Sequence, residues 1–385
     1  MSNLKKYGRE ITTVFLKLGA MSYGGPAIMG MMQAELQEKR AWLSKENFIE
    51  GLALVNMLPG AGATQLGIFL GFVRAGWWGG LLAGLCFVLP ALLIMLGLTL
   101  VYHQYGALPV MRGVFYGLAP VVVGIFAVAV WRLGRAAIKD AKQIGCALLT
   151  ALALAFTPIG IIPLLLLAGA LGVVFYGARR RGYALVLILI AAYAALYGLG
   201  GLSPPSGAAT AGAASVGDIA VFFFKVGAFS FGGGLSMLAF MQDQVVNKLH
   251  WLTQQQFLDG LALGQLTPGP ILMVAAFVGY KTTGLGGALA GATAIFLPSF
   301  LLMLSILPML ERIKRIVWMK AALKGISPAV IGMITLALLK MLHQAVPDGL
   351  AGALMIGAMV LLLARRSGPL PLMLAGGAIG WLTLI

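Results

Sequence analysis

The chain has 385 residues, of which 60% are hydrophobic, 10% are charged and 53 are glycine, against about 25% charged residues and about 7% glycine in soluble domains. That excludes a water-soluble globular domain and predicts an all-α polytopic membrane protein, because repeated apolar runs of this length are what a bilayer core about 30 Å thick requires. A net charge of +16 fits basic residues gathered in cytoplasmic loops and not a nucleic-acid surface, which needs stacking aromatics and base-edge donors on a solvated face.

In chain order, Lys5, Lys6 and Arg9 lead into an apolar run from Ile11. The run outlasts a secretory signal and has no clear small-residue cleavage site, so it reads as a retained first helix. Six spans are expected in the first half, near 10–33, 47–74, 76–101, 110–133, 143–157 and 159–177. One further apolar run, Tyr183 to Leu202, lies in a linker, and the second half then repeats the first. FLKLGAMSYGG from Phe15 is answered by FFKVGAFSFGG from Phe223, with seven identities in eleven at an offset of 208 positions. WLSKENFIEGLALVNMLPG from Trp42 is answered by WLTQQQFLDGLALGQLTPG from Trp251, with the offset one residue longer. Pro90 and Pro298, Pro120 and Pro328, and Pro163 and Pro371 keep the register. The predicted organisation is a first repeat over 1–181, a linker with one helix over 182–217 and a second repeat over 218–385.

Thirteen spans follow from this count, with an odd number between each segment and its duplicate, so the second repeat should be inverted. Loop charge supports the count: the amino terminus, the cluster Arg132 to Lys142, Arg179 to Arg181, Arg312 to Lys320 and Arg365 with Arg366 all fall on one side. Inverted repeats with discontinuous helices are the architecture of secondary transporters, whose substrate sits near the midplane. Discontinuities stand at equivalent places in both halves. The first span breaks at Ser22, Tyr23, Gly24 and Gly25, matched by Ser230, Phe231, Gly232 and Gly233, and the second at Pro59 and Gly60, matched by Pro268, Gly269 and Pro270. Such breaks either kink helices for close packing or expose helix N-termini that attract an anion. Four equivalent breaks favour a binding site.

Lys17 and Lys225, at matching positions inside the first span of each half, are candidate partners for an anion, since a central cation costs about 2.5–3.5 kcal/mol; the alternative is that each snorkels to the interface. Arg74 and Lys281 end the second spans and mark either topology or a vestibule. Asn56 and Gln265 precede the Pro-Gly breaks, and Thr64, Gln65 and Thr267 flank them, as uncharged donors to an oxyanion or as caps for carbonyls freed by proline. Glu35 with Asp243, and Glu50 with Asp259, flank the broken helices and are candidates for proton coupling. Cys86 and Cys146 sit in apolar segments as packed thiols, and His103, His250 and His343 share no spacing. No metal site, cofactor or catalytic triad is expected, and the chain is not expected to be an enzyme.

The doubled FxKxGxxS(Y/F)GG blocks, the downstream Trp-Leu with its acidic residue, and the LPG and TPGP motifs resemble the chromate ion transporter family in its long, two-domain form. The resemblance covers nearly the whole chain. It implies a multi-pass carrier of the cell inner membrane that expels chromate, with sulfate as a look-alike dianion, and it implicates Lys17, Ser22, Gly24, Gly25, Pro59, Gly60, Lys225, Ser230, Gly232, Gly233, Gln265, Pro268, Gly269 and Pro270. The first half departs from the pattern: Ala61 replaces the second proline and Asn56 a more usual glutamine. A carrier for another oxyanion and an anion channel are the remaining functional alternatives, and a homodimer is left open.

Overall fold

The structure, a computed structural model, describes residues 2–23, 25–157, 159–177, 179–198, 214–231, 234, 236–309, 317–364 and 366–383. Gly24, Gly232, Gly233, Arg312, Lys314, Arg315, Arg365 and residues 199–202 of the linker run lie outside the described residues. Among the described residues the fold is all helix. The first half contains α1 (Ser2–Met21), α2 (Gly25–Met32) running into a π-helical segment Gln33–Lys39, α3 (Lys45–Met57), α4 (Gly62–Tyr105), α5 (Pro109–Ala137), α6 (Ala141–Phe156) and α7 (Ile161–Tyr176). The linker helix is α8 (Arg179–Gly198). The second half repeats the order with α9 (Val216–Ala228), α10 (Ser236–Met241) into the π-helical Gln242–Lys248, α11 (Gln254–Leu266), α12 (Val274–Ile306), α13 (Val317–Ala345), α14 (Gly349–Leu363) and α15 (Pro369–Thr383).

The breaks reverse the chain instead of merely interrupting it. Gly51 of α3 packs on Phe69 of α4, and Gly62 faces Val55, so residues equally far from the Pro59-Gly60 break lie side by side. Gly260 against Phe277, and Gly264 against Val274, do the same around Pro268-Gly269. In the first repeat the two arms, Lys45–Met57 and 62–75, have 13 and 14 residues, or about 20 Å of helix, short of the roughly 20 residues that cross a bilayer. The first segment behaves likewise: Glu10 of α1 accepts hydrogen bonds from Arg40 at 3.5 Å and from Trp42 Nε1 at 3.0 Å, across the end of the returning arm. The segments expected at 10–33 and 47–74 are therefore two helical hairpins that turn back at their breaks. Four helices follow in each half.

A second reversal lies inside α4. Ala75 and Gly76 leave helical geometry (Gly76 φ 69°), and Thr283 and Gly284 do the same in α12 (Gly284 φ 71°). A positive φ of this kind is routine only for glycine. Gly71 then packs on Gly79, and Gly279 on Gly287, with no room for a Cβ. The boundary expected between residues 74 and 76 falls at this turn.

Losing two crossings from each half leaves the parity between repeats odd, and the inversion is visible in the packing. Gly80 of α4 lies against Leu304 and Gly84 against Phe300, so the duplicated helices α4 and α12 run antiparallel. The halves also exchange partners: α5 packs with α14 and α15, and α13 with α6 and α7. Both exchanges run through glycine, Gly117 on Gly376 and Gly325 on Gly172. That suits a bilayer, where helix association depends on close packing more than on water exclusion. By length and composition, Gly62–Tyr105, Pro109–Ala137, Ile271–Ile306 and Met319–Ala345 can cross a membrane.

Candidate functional site

The four hairpin tips meet. Gly60 N–H of the first half donates to the Ser230 carbonyl of the second at 2.6 Å, and Gly269 N–H donates to the Ser22 carbonyl at 2.6 Å. Each Pro-Gly break is thus bonded to the Ser-aromatic-Gly-Gly break of the opposite repeat, and the two bonds are related by the internal symmetry. The geometry needs glycine at both donors. Gly60 has φ 130° and Gly269 φ 98°. A Cβ on Gly60 would lie 2.5 Å from both Gln65 Nε2 and Ser299 Oγ, and one on Gly269 would lie 2.8 Å from Ala91 Cβ.

Polar groups crowd this crossing. Ser22, Thr64, Gln65 and Ser299 are fully buried, and Ser230 and Thr267 nearly so. Gln65 Nε2 donates to the Pro59 carbonyl at 2.7 Å, while Thr267 Oγ1 donates back to Leu263 O at 2.8 Å within its own helix. Ser22 Oγ, Thr64 Oγ1 and Gln65 Oε1 are buried with no hydrogen-bond partner. Buried polar atoms are nearly always paired, since leaving one unpaired costs about 1–3 kcal/mol. Three such atoms lie in the broken segments that meet at the crossing.

Sequence comparison of the halves has a structural reason here. Ala61 N–H donates to Ser299 Oγ at 2.8 Å. Its repeat equivalent is Pro270, which has no N–H, and the equivalent of Ser299 is Ala91. The serine is present where the amide is present and absent where proline removes it. The departure of Ala61 from the proline pattern is thereby compensated within the fold.

The remaining candidates are distributed unevenly. Pro268, Gly269 and Pro270 are buried at the crossing, Pro59 and Gln265 are half-buried beside it, and Asn56 is exposed. Lys17 and Lys225 are exposed, one turn before their tips, on the faces opposite Ile11, Phe15 and Leu18 in α1 and Ile219, Phe223 and Val226 in α9. The structure therefore leaves both ammonium groups outside the enclosed crossing. Of the carboxylates, Glu35 pairs with Arg40 at 2.9 Å and Lys39 at 3.5 Å, Asp243 pairs with Lys248 at 2.9 Å, and Glu50 is exposed. Asp259 differs: it is 6% exposed and accepts from Tyr102 at 2.7 Å and Gln255 at 2.9 Å. Arg74 is joined to Glu10 at 2.8 Å and stacks on Tyr7, fastening the two hairpins of the first half.

Sequence reasoning missed Ser299, Tyr102, and the equivalent caps Asp140 and Asp348. Asp140 caps α6 and accepts from Tyr176, and Asp348 caps α14 and accepts from Tyr116. Their position just before a helix was a readable N-cap signal; Ser299 carries none outside the folded structure.

Two inverted repeats whose broken helices meet around buried polar atoms have the architecture of a multi-pass membrane transporter. Residues 9–173 and 217–381 each match the family described as Chromate transporter. The chain belongs to that family. It is 32% identical to a chromate transport protein of Cupriavidus metallidurans over 96% of this chain and 92% of that one. It is 33% identical to a probable chromate transport protein of Synechococcus elongatus, over 96% and 94% of the two chains. An uncharacterized transporter of Bacillus subtilis, YwrA, is 30% identical over 131 residues, 34% of this chain and 74% of its own length. No solved structure matches the chain significantly.

Proposed function

We propose that the chain exports chromate across the inner membrane by alternating access, with sulfate, a dianion of the same shape, as its competitor. The observation that carries this reading is the reciprocal pair of bonds from Gly60 and Gly269 to the serine carbonyls of the opposite repeat, set among three unpartnered polar atoms. When the halves rock apart, both bonds break and two backbone N–H groups are released at mid-depth. An oxyanion accepts from them in place of the Ser230 and Ser22 carbonyls, with the Ser22 and Thr64 hydroxyls as further donors. The helix that begins after Gly60 adds its positive N-terminal end. Lys17 and Lys225 then act on the approach, drawing the anion toward the tips without sharing the enclosed space. Relatives named as chromate transport proteins along most of their length favour chromate among the oxyanions.

Purified protein in proteoliposomes tests the reading. Labelled chromate flux should saturate, be inhibited by sulfate, and be accelerated by unlabelled chromate on the opposite side. Flux that rises linearly with concentration and shows no counter-transport would assign an anion channel instead. Absence of chromate flux under any imposed gradient would refute the substrate.

A further inference from the structure

Away from the tips, a buried carboxylate also joins the two halves. Tyr102 near the end of α4, in the first repeat, donates its hydroxyl to Asp259 Oδ2 in α11 of the second repeat at 2.7 Å, and Gln255 Nε2 donates to Oδ1 at 2.9 Å. The contact lies at the end of α4 remote from Arg74 and the basic loops, on the face that the positive-inside rule assigns to the exterior. Its repeat equivalent, Glu50, is exposed, whereas Asp259 is 6% exposed. Phe115 and Phe277 pack their rings on Tyr102 at 5.1 and 5.3 Å between centroids, enclosing the bond in apolar surroundings.

The charged and titratable groups around it are few. From α12, Lys281 lies with its ammonium 5.7 Å from the Tyr102 ring, and Tyr280 stacks on His103 of α4. From α5, Tyr116 is engaged by Asp348 and Arg112 is exposed. From α13, Lys340 and His343 are exposed, and in the π-helical segment before α11 Asp243 and Lys248 pair with each other. α15 carries no titratable side chain among its residues. Both oxygens of Asp259 are therefore held by neutral donors, an arrangement that serves the ionised carboxylate; a proton on it removes the charge that makes the Tyr102 bond strong.

We propose that Asp259 and Tyr102 form a protonation-controlled clasp between the repeats, so that opening toward the outer face is tied to proton uptake by Asp259. The ionised carboxylate holds α11 against α4, and the protonated one releases it. Asp259 and Tyr102 are positioning residues, acting through the relative placement of the halves and not by touching the anion. The proposal rests on the transport reading above for its meaning, but its test does not need a substrate.

Hydrogen exchange of the full chain in lipid nanodiscs, corrected for intrinsic rates, reads the clasp directly. In the wild type, exchange around Tyr102 and Asp259 should rise as the pH is lowered. In Asp259→Asn, which keeps the shape but carries no charge, as the protonated acid does, it should be high at both pH values. In Tyr102→Phe, which keeps the carboxylate and loses the bond, it should be high at both pH values. In proteoliposomes, Asp259→Asn should lose the dependence of chromate flux on outer pH. Wild-type exchange that ignores pH, or an Asp259→Asn variant that keeps the wild-type pH profile, overturns the clasp. If Asp259→Asn fails to reach the membrane, the wild type and Tyr102→Phe decide the matter alone. PH-dependent exchange without any chromate flux would leave the clasp standing and defeat the oxyanion reading.

Discussion

Ser299→Ala is the most informative single change at the crossing, because it removes one atom whose partner is known. The Ala61 N–H that donates to Ser299 Oγ at 2.8 Å is buried, and without that oxygen it has no acceptor. An unsatisfied buried amide costs about 1–3 kcal/mol, which is up to about a hundredfold in the folded-to-unfolded ratio at the upper end. The other half supplies the remedy. There Pro270 stands in place of Ala61, and Ala91 in place of Ser299. Ala61 already has φ −78°, inside the range that proline imposes, and Gly60 before it keeps its own φ. Ala61→Pro added to Ser299→Ala should therefore recover most of the loss by deleting the orphaned donor. A double-mutant cycle, read by thermal unfolding in detergent through tryptophan fluorescence, should give a coupling of about 1–2 kcal/mol. If Ser299→Ala is as stable as the wild type, or if the double variant is no better than the single one, the pairing of Ala61 with Ser299 has no energetic content.

Other perturbations have equally definite outcomes. Gly60→Ala and Gly269→Ala force a side chain into positive φ at about 1–3 kcal/mol each and into contacts of 2.5–2.8 Å with neighbouring residues; both should lower Tm and abolish chromate flux in vesicles. Lys17→Met and Lys225→Met should raise the KM for chromate with little change in maximal rate, as expected for groups outside the crossing; loss of maximal rate with unchanged KM would move them into it. Tyr176 and backbone N–H groups hold the carboxyl of Asp140 below the usual aspartate range, and backbone bonds at Ala351 with Tyr116 do the same for Asp348. A depressed folded-state pKa contributes stability that is complete above the unfolded value and lost as pH falls through the folded one. Acidification below the ordinary aspartate range should therefore lower Tm, and Asp140→Asn with Asp348→Asn should weaken that acid dependence.

Much of this architecture was legible in the chain. The doubled FxKxG block, the Pro-Gly motifs at matched offset and the break between residues 74 and 76 all mark real features, because glycine and proline punctuate a membrane helix wherever it folds. Re-entry was not legible: an apolar run of some thirty residues reads alike whether it passes through a bilayer or doubles back at Pro59-Gly60, and the pairing of Gly51 with Phe69 appears only in three dimensions. The available signal was arm length, since 13 or 14 residues on either side of the break fall short of the roughly 20 needed to span. The faces of Lys17 and Lys225 were also readable. Ile11, Phe15 and Leu18 form a stripe at helical spacing, and Lys17 stands off it. The Tyr102 bond to Asp259 joins residues 157 positions apart, and no local pattern announces it.

A structure determined in lipid with chromate present tests the central claim most directly. Tetrahedral density should occupy the junction of the four tips, within hydrogen-bonding reach of Gly60 N, Gly269 N and the Ser22 and Thr64 hydroxyls, with the two glycine-to-serine bonds broken. Density confined to the basic loops, with both of those bonds intact, would contradict the account.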